Sequence, residues 1–172
     1  IPGAPIGWLA EHQGEGFEDP EGAASFDSFV SAFAPIDHLT LQPYSDPDFE
    51  SQGGAAVELL TTAAQYTLNI QFWIYAQWPG RTEWMTDAFS NGGGSVYPDW
   101  TVPRAPANWE EATENAVLYS EAFRDYVDER VDGNPLRVIP GGLALVELKR
   151  RMDAGAIPGL GAFFETMFED EV

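Results

Sequence analysis

Apolar and polar positions alternate between two periods along this chain. Ile36 to Leu41 is a short, mostly apolar run bounded by Pro35 and Pro43, which suits a buried strand. Val57, Leu60 and Ala64 then recur at helical spacing. Ile70, Phe72, Trp73, Ile74 and Tyr75 form a second apolar run, ended by Trp78-Pro79-Gly80. Trp109, Ala112, Ala116, Tyr119, Phe123, Val127 and Val131 share one face of a long helix. Asn108 is its N-cap, and Glu111 stands three residues on to close a capping box. Leu136 to Ile139 is a third short strand, stopped by Pro140-Gly141-Gly142. The pattern predicts strands near 36–41, 69–76 and 136–139, and helices near 52–66, 109–131 and 142–154, the last with Gly155 as its C′ residue. Short helices are expected around 6–12 and 25–33, with loops elsewhere in 1–35 and across 80–107.

Strand, helix, strand, helix, strand, helix argues for an α/β fold with a parallel sheet and helices on both faces. Such sheets bind ligands beyond the carboxyl ends of their strands. Here those ends are Gln42-Pro43-Tyr44, Gln77-Trp78-Pro79 and Pro140-Gly141-Gly142.

Charge narrows the functions available. The 172 residues carry 28 Asp and Glu against 8 Lys and Arg, a net charge of −20. That balance argues against sequence-independent nucleic-acid binding, which needs a basic patch to displace counterions. It argues equally against docking on an anionic membrane. No apolar run approaches the roughly 18 residues of a membrane span. Lys149 is the single lysine, and a lysine-poor acidic surface suits a protein working in high salt, or equally an acidic soluble protein. Cysteine is absent, which removes disulfides, thiolate catalysis and Cys-zinc sites.

Several motifs fail on inspection. Gly92-Gly93-Gly94 is followed by Ser95-Val96, so it is no phosphate loop. Asp46-x-Asp48-x-Glu50 opens like a calcium loop, but Ser51 stands at the glycine position and Val57 at the final glutamate. There is no G-x-S-x-G elbow and no H-E-x-x-H. His12 and His38 are the only histidines, with no third ligand to make a metal site. His38 reads as a packed or edge residue, Trp73 and Trp109 as core. Trp78, beyond a strand end, is the better ligand candidate.

An ordered set of segments carries a family resemblance. It runs Leu39-Thr40-Leu41-Gln42-Pro43-Tyr44, Phe72-Trp73-Ile74-Tyr75-Ala76-Gln77-Trp78-Pro79, Val138-Ile139-Pro140-Gly141-Gly142-Leu143, Gly155-Ala156-Ile157-Pro158-Gly159-Leu160 and Phe168-Glu169-Asp170-Glu171-Val172. In order and spacing these resemble bacterial SGNH (GDSL-type) hydrolases over nearly the whole chain. The resemblance implies a single domain over 1–172, a three-layer α/β sandwich with a central parallel sheet of flavodoxin-like kind. It implies hydrolysis of a small-molecule or carbohydrate ester by serine, histidine and aspartate, with no metal and no cofactor.

Asp170-Glu171-Val172 matches the first three positions of the family's Asp-x-x-His motif, which makes Asp170 the residue that orients the histidine. No serine here sits in a Gly-Asp-Ser-like block. The serine is therefore expected before Ile1 and the histidine directly after Val172, the chain being incomplete at both ends. Gly3 matches the family's glycine block and offers a backbone N–H to an oxyanion. The family's Asn after the corresponding strand is absent; Gln42 lies there and its amide is the substitute donor. Gly3, Gln42, Gln77, Trp78 and Asp170 are expected to converge on one cleft. The rival expectation is a non-catalytic acidic binding or assembly module that retains the fold.

Overall fold

The alternation is present in a computed structural model, which describes residues 6–11, 26–43, 49–79 and 106–167. In chain order the elements are α1 (Ile6–Glu11), α2 (Phe26–Phe33), β1 (His38–Leu41), α3 (Phe49–Tyr66), β2 (Gln71–Tyr75), α4 (Trp109–Asp128), β3 (Arg137–Ile139), α5 (Gly141–Asp153) and α6 (Phe163–Met167). The fold is α/β. The strands form an open parallel sheet in the order β1-β2-β3. Thr40 stands opposite Trp73, and Trp73 opposite Arg137.

Local chemistry sets the boundaries. Ile36 donates its N–H to the Thr67 hydroxyl at 3.1 Å rather than to a neighbouring strand, so β1 starts two residues into the apolar run. The carbonyls of Asn69 and Ile70 accept from the Asn134 side chain, each at 3.3 Å, which delays β2. Asn108 caps α4 by accepting from the Glu111 N–H at 2.9 Å. The Glu111 carboxylate reaches back to the Ala107 N–H, one residue earlier than a standard capping box. The Asp128 carboxylate accepts from the Leu136 N–H at 2.7 Å and turns the chain into β3, so α4 stops short of Val131. Gly155, at φ +67°, ends α5. Its N–H bonds the Met152 carbonyl while that of Ala156 bonds Arg151, the paired bonds of a Schellman motif.

Alternation along the strands divides the sheet into two unlike faces. Leu39, Leu41, Phe72, Ile74 and Val138 point into the main core beneath α3 and α4. Phe49 sits at its centre, edge-on to Tyr119, Phe123 and Tyr126 at 5.4–5.6 Å. The other face carries His38, Thr40, Trp73, Tyr75, Arg137 and Ile139. None of these joins a buried cluster among the described residues. Among the described residues Trp73 is half-buried and joins neither core cluster, which differs from the sequence reading. Its neighbours Phe72 and Ile74 hold the core parity, so Trp73 falls on the opposite side. There its indole N–H donates to His38 Nδ1 at 3.2 Å, and the Arg137 guanidinium lies 5.6 Å from its ring. His38 is exposed on the edge strand, as an edge residue should be.

A smaller cluster joins Trp109 at the start of α4 to Val146, Met152 and Phe163. Ion pairs reinforce it. Lys149 bonds Glu110 at 3.1 Å and Asp153 at 2.6 Å, and Arg150 bonds Glu110 at 3.1 Å. The hydrogen bond to Asp153 leads the causes that raise the Lys149 pKa above its ordinary 10.5.

These pairs weaken in salt, but each is worth only about 0–1 kcal/mol. The acids outnumber the cations by 20, and their mutual repulsion is relieved by the same screening. The melting temperature is expected to rise between dilute buffer and about 1 M sodium chloride, where the Debye length falls to about 3 Å. A flat or falling melting temperature would show that local pairs outweigh the net charge.

Candidate functional site at the carboxyl end of the sheet

Parallel pairing brings Leu41, Tyr75 and Ile139 to one end of the sheet, and with them the three segments that follow. The middle segment is held from both sides. The Ala76 N–H donates to the Ile139 carbonyl at 3.0 Å, and the Ala76 carbonyl accepts from the Gly142 N–H at 3.1 Å. The start of α5 is thus tied directly to the residue before Gln77.

Two glycines make the approach close. A Cβ at Gly141 would stand 2.6 Å from the Tyr75 hydroxyl. At Gly142 it would stand 2.6 Å from the Thr113 methyl and 3.2 Å from the Gln77 carbonyl. A side chain at Gly141 would displace the Tyr75 hydroxyl, and one at Gly142 would require Thr113 and the Gln77 backbone to give way. Neither the Tyr75 hydroxyl nor Thr113 was anticipated at this site from the sequence.

Across the strand end, Gln42 Nε2 donates to Gln77 Oε1. Gln42 is exposed at the end of the edge strand, and Gln77 is half-buried. Trp78 packs against the second cluster, and its ring meets Tyr75 edge-on at 6.4 Å. The Trp109 indole N–H donates to the Pro79 carbonyl at 2.8 Å and fixes the chain just beyond Trp78. Gln42, Gln77 and Trp78 therefore occupy one end of the sheet. Gly3 and Asp170 lie outside the described residues, as do His12, Trp84 and Trp100.

Among the described residues, the side chains of Gln42, Gln77 and Trp78 at this end are neutral donors and acceptors. A carboxamide has two N–H donors, and Gln42 spends one on Gln77. Among the described residues no group of three or more His, Asp or Glu side chains is placed to hold a metal ion. A separate pocket of about 300 Å³ lies between α1 and α3, with Glu11, Glu50 and Glu58 in its walls. Among the described residues no helix is long and apolar enough to cross a membrane. No family model, curated protein or solved structure matches the chain.

Proposed function

We propose that the chain is the central part of an SGNH-type ester hydrolase, acting on a carbohydrate or lipid ester. The observation that carries this reading is the Gln42 carboxamide, hydrogen-bonded to Gln77 at the carboxyl end of a parallel sheet. That is where open α/β sheets bind ligands. The order β1-β2-β3 also supports it. In the flavodoxin-like order 2-1-3-4-5 the last three strands are sequential neighbours, and the first strand lies beside the third. A nucleophile-bearing strand in this fold would pair along the outer edge of β1. Helices over the face that holds Trp73 would complete the three-layer sandwich.

In this reading the serine and its histidine base come from outside residues 1–172, and Asp170 orients the base. The serine adds to the ester carbonyl as the base takes its proton. Negative charge then develops on the carbonyl oxygen. The remaining Gln42 N–H, together with the Gly3 backbone N–H, stabilises it. Trp78 walls the site against the leaving or acyl group.

The test is turnover of a short-chain aryl ester by the full-length protein and by Gln42→Ala. Removing one oxyanion donor is expected to lower kcat by about 10²–10³. The non-catalytic binding module draws support from Gln42 standing where the family has Asn. A folded full-length protein with no turnover above buffer would decide for that module.

A further inference from the structure

We infer that Gln77 is a positioning residue, which fixes the roll of the Gln42 carboxamide so that its free N–H faces the site. The inference rests on the hydrolase reading and deepens it. Two amides in contact do not by themselves say which one holds the other; the backbone around them does. Gln42 follows β1, and among the described residues its side chain is exposed. A lone exposed carboxamide samples several rotamers and both ends of its χ3 torsion. Gln77 is different. The residue before it is bonded through its N–H to Ile139 and through its carbonyl to Gly142. Its own carbonyl lies where a Cβ at Gly142 would be crowded, at 3.2 Å. Two residues later the Pro79 carbonyl is held by the Trp109 indole at 2.8 Å. The half-buried Gln77 is therefore the anchor, and Gln42 is the group held.

With Gln77 presenting Oε1, Gln42 presents Nε2 to it, which uses one of its two N–H groups and leaves one over. Turning the Gln42 amide alone would set two carbonyl oxygens against each other. An oxyanion would meet an acceptor in place of a donor. Gln77 in this way supplies the pre-organisation that a shorter Asn, tied more closely to its own backbone, needs less. The gain is geometric, and misplacement of about 1 Å at a reacting centre can lower rate about 100-fold.

The experiment compares full-length wild type with Gln77→Leu, Gln77→Met and Gln77→Glu. Leu and Met keep apolar bulk and lose the acceptor; Glu keeps an acceptor. Two readouts are taken: kcat and KM with a short-chain aryl ester, and the side-chain amide region of a ¹⁵N–¹H spectrum with Gln42 assigned. The Leu and Met variants are expected to lose about 10- to 100-fold in kcat with KM within about twofold. Their Gln42 amide protons should move to the positions of a free carboxamide, while Gln77→Glu keeps them displaced. Unchanged kcat in folded Gln77→Leu and Gln77→Met, beside an active wild type, would overturn the inference and leave the hydrolase reading standing. So would a fall in kcat with the Gln42 amide protons unmoved, because Gln77 would then act by another route. A wild type with no hydrolysis overturns the hydrolase reading, and the catalytic part of this inference falls with it.

Discussion

Replacing Phe49 with Ala is expected to destabilise the fold by about 3–5 kcal/mol, a large part of the roughly 5–15 kcal/mol that holds a domain folded. Phe49 is fully buried at the start of α3. Its ring meets those of Tyr119, Phe123 and Tyr126 edge-on, and all three come from α4. Each such pair adds about 0.5–1.5 kcal/mol beyond burial of area. Truncation removes the ring from all three at once and leaves a cavity that two long helices cannot easily close. Leu68, 95% exposed in the turn before β2, is the matched control. Leu68→Ala should stay within about 0.5 kcal/mol of wild type. Equilibrium urea unfolding reads both, and a loss below about 1 kcal/mol at Phe49 would mean that the α3–α4 contact is not the centre of the core. The consequence reaches the site, because α3 links β1 to β2 and so sets where Gln42 stands relative to Gln77.

What the sequence discloses follows from the range of each interaction. The capping of α4 by Asn108 and the Schellman turn at Gly155 depend on residues within one helical turn, and both are legible. The three strands and the helices between them are legible from their periods, and connections that each carry a helix make parallel pairing the natural outcome. Strand limits are less so. They are set by Thr67 and Asn134, side chains remote in sequence from the residues they hold. Trp73 shows a subtler failure. Its size argues for the core, but parity with Phe72 and Ile74 puts it on the other face. A continuous apolar run hides that parity until one knows which face the helices cover.

At the candidate site, the strand ends named Gln42, Gln77 and Trp78 because parallel strands must finish together. The contact between the two glutamines needed the register of β1 on β2 as well, and no single strand reveals that. The Gly141-Gly142 pair was legible as a stop signal only. Its close packing depends on Tyr75 and Thr113, which reach it from two other elements. Gly142 lies against the Gln77 carbonyl, and Gly141 against the Tyr75 ring.

Asp170→Asn is expected to lower ester turnover by the full-length protein by up to about 10⁴-fold, the loss seen when a serine-protease triad loses the charge of its aspartate. Asp170 lies outside the described residues, and its role is the one proposed above, from the resemblance of Asp170-Glu171-Val172 to the first three positions of the Asp-x-x-His motif. In that pattern the aspartate accepts a hydrogen bond from the imidazole nitrogen facing away from the serine. This selects the tautomer whose other nitrogen is free to take the serine proton. It also stabilises the imidazolium that forms as the serine attacks. Asn keeps the shape, removes the charge, and can donate as well as accept, so it favours the wrong tautomer. The competing account makes Asp170 one more solvated carboxylate among 28 acidic residues. Turnover of a short-chain aryl ester, with folding checked by circular dichroism, separates the two. Equal rates in two equally folded proteins remove Asp170 from the mechanism, whereas a loss in kcat with KM little changed assigns it to the transition state.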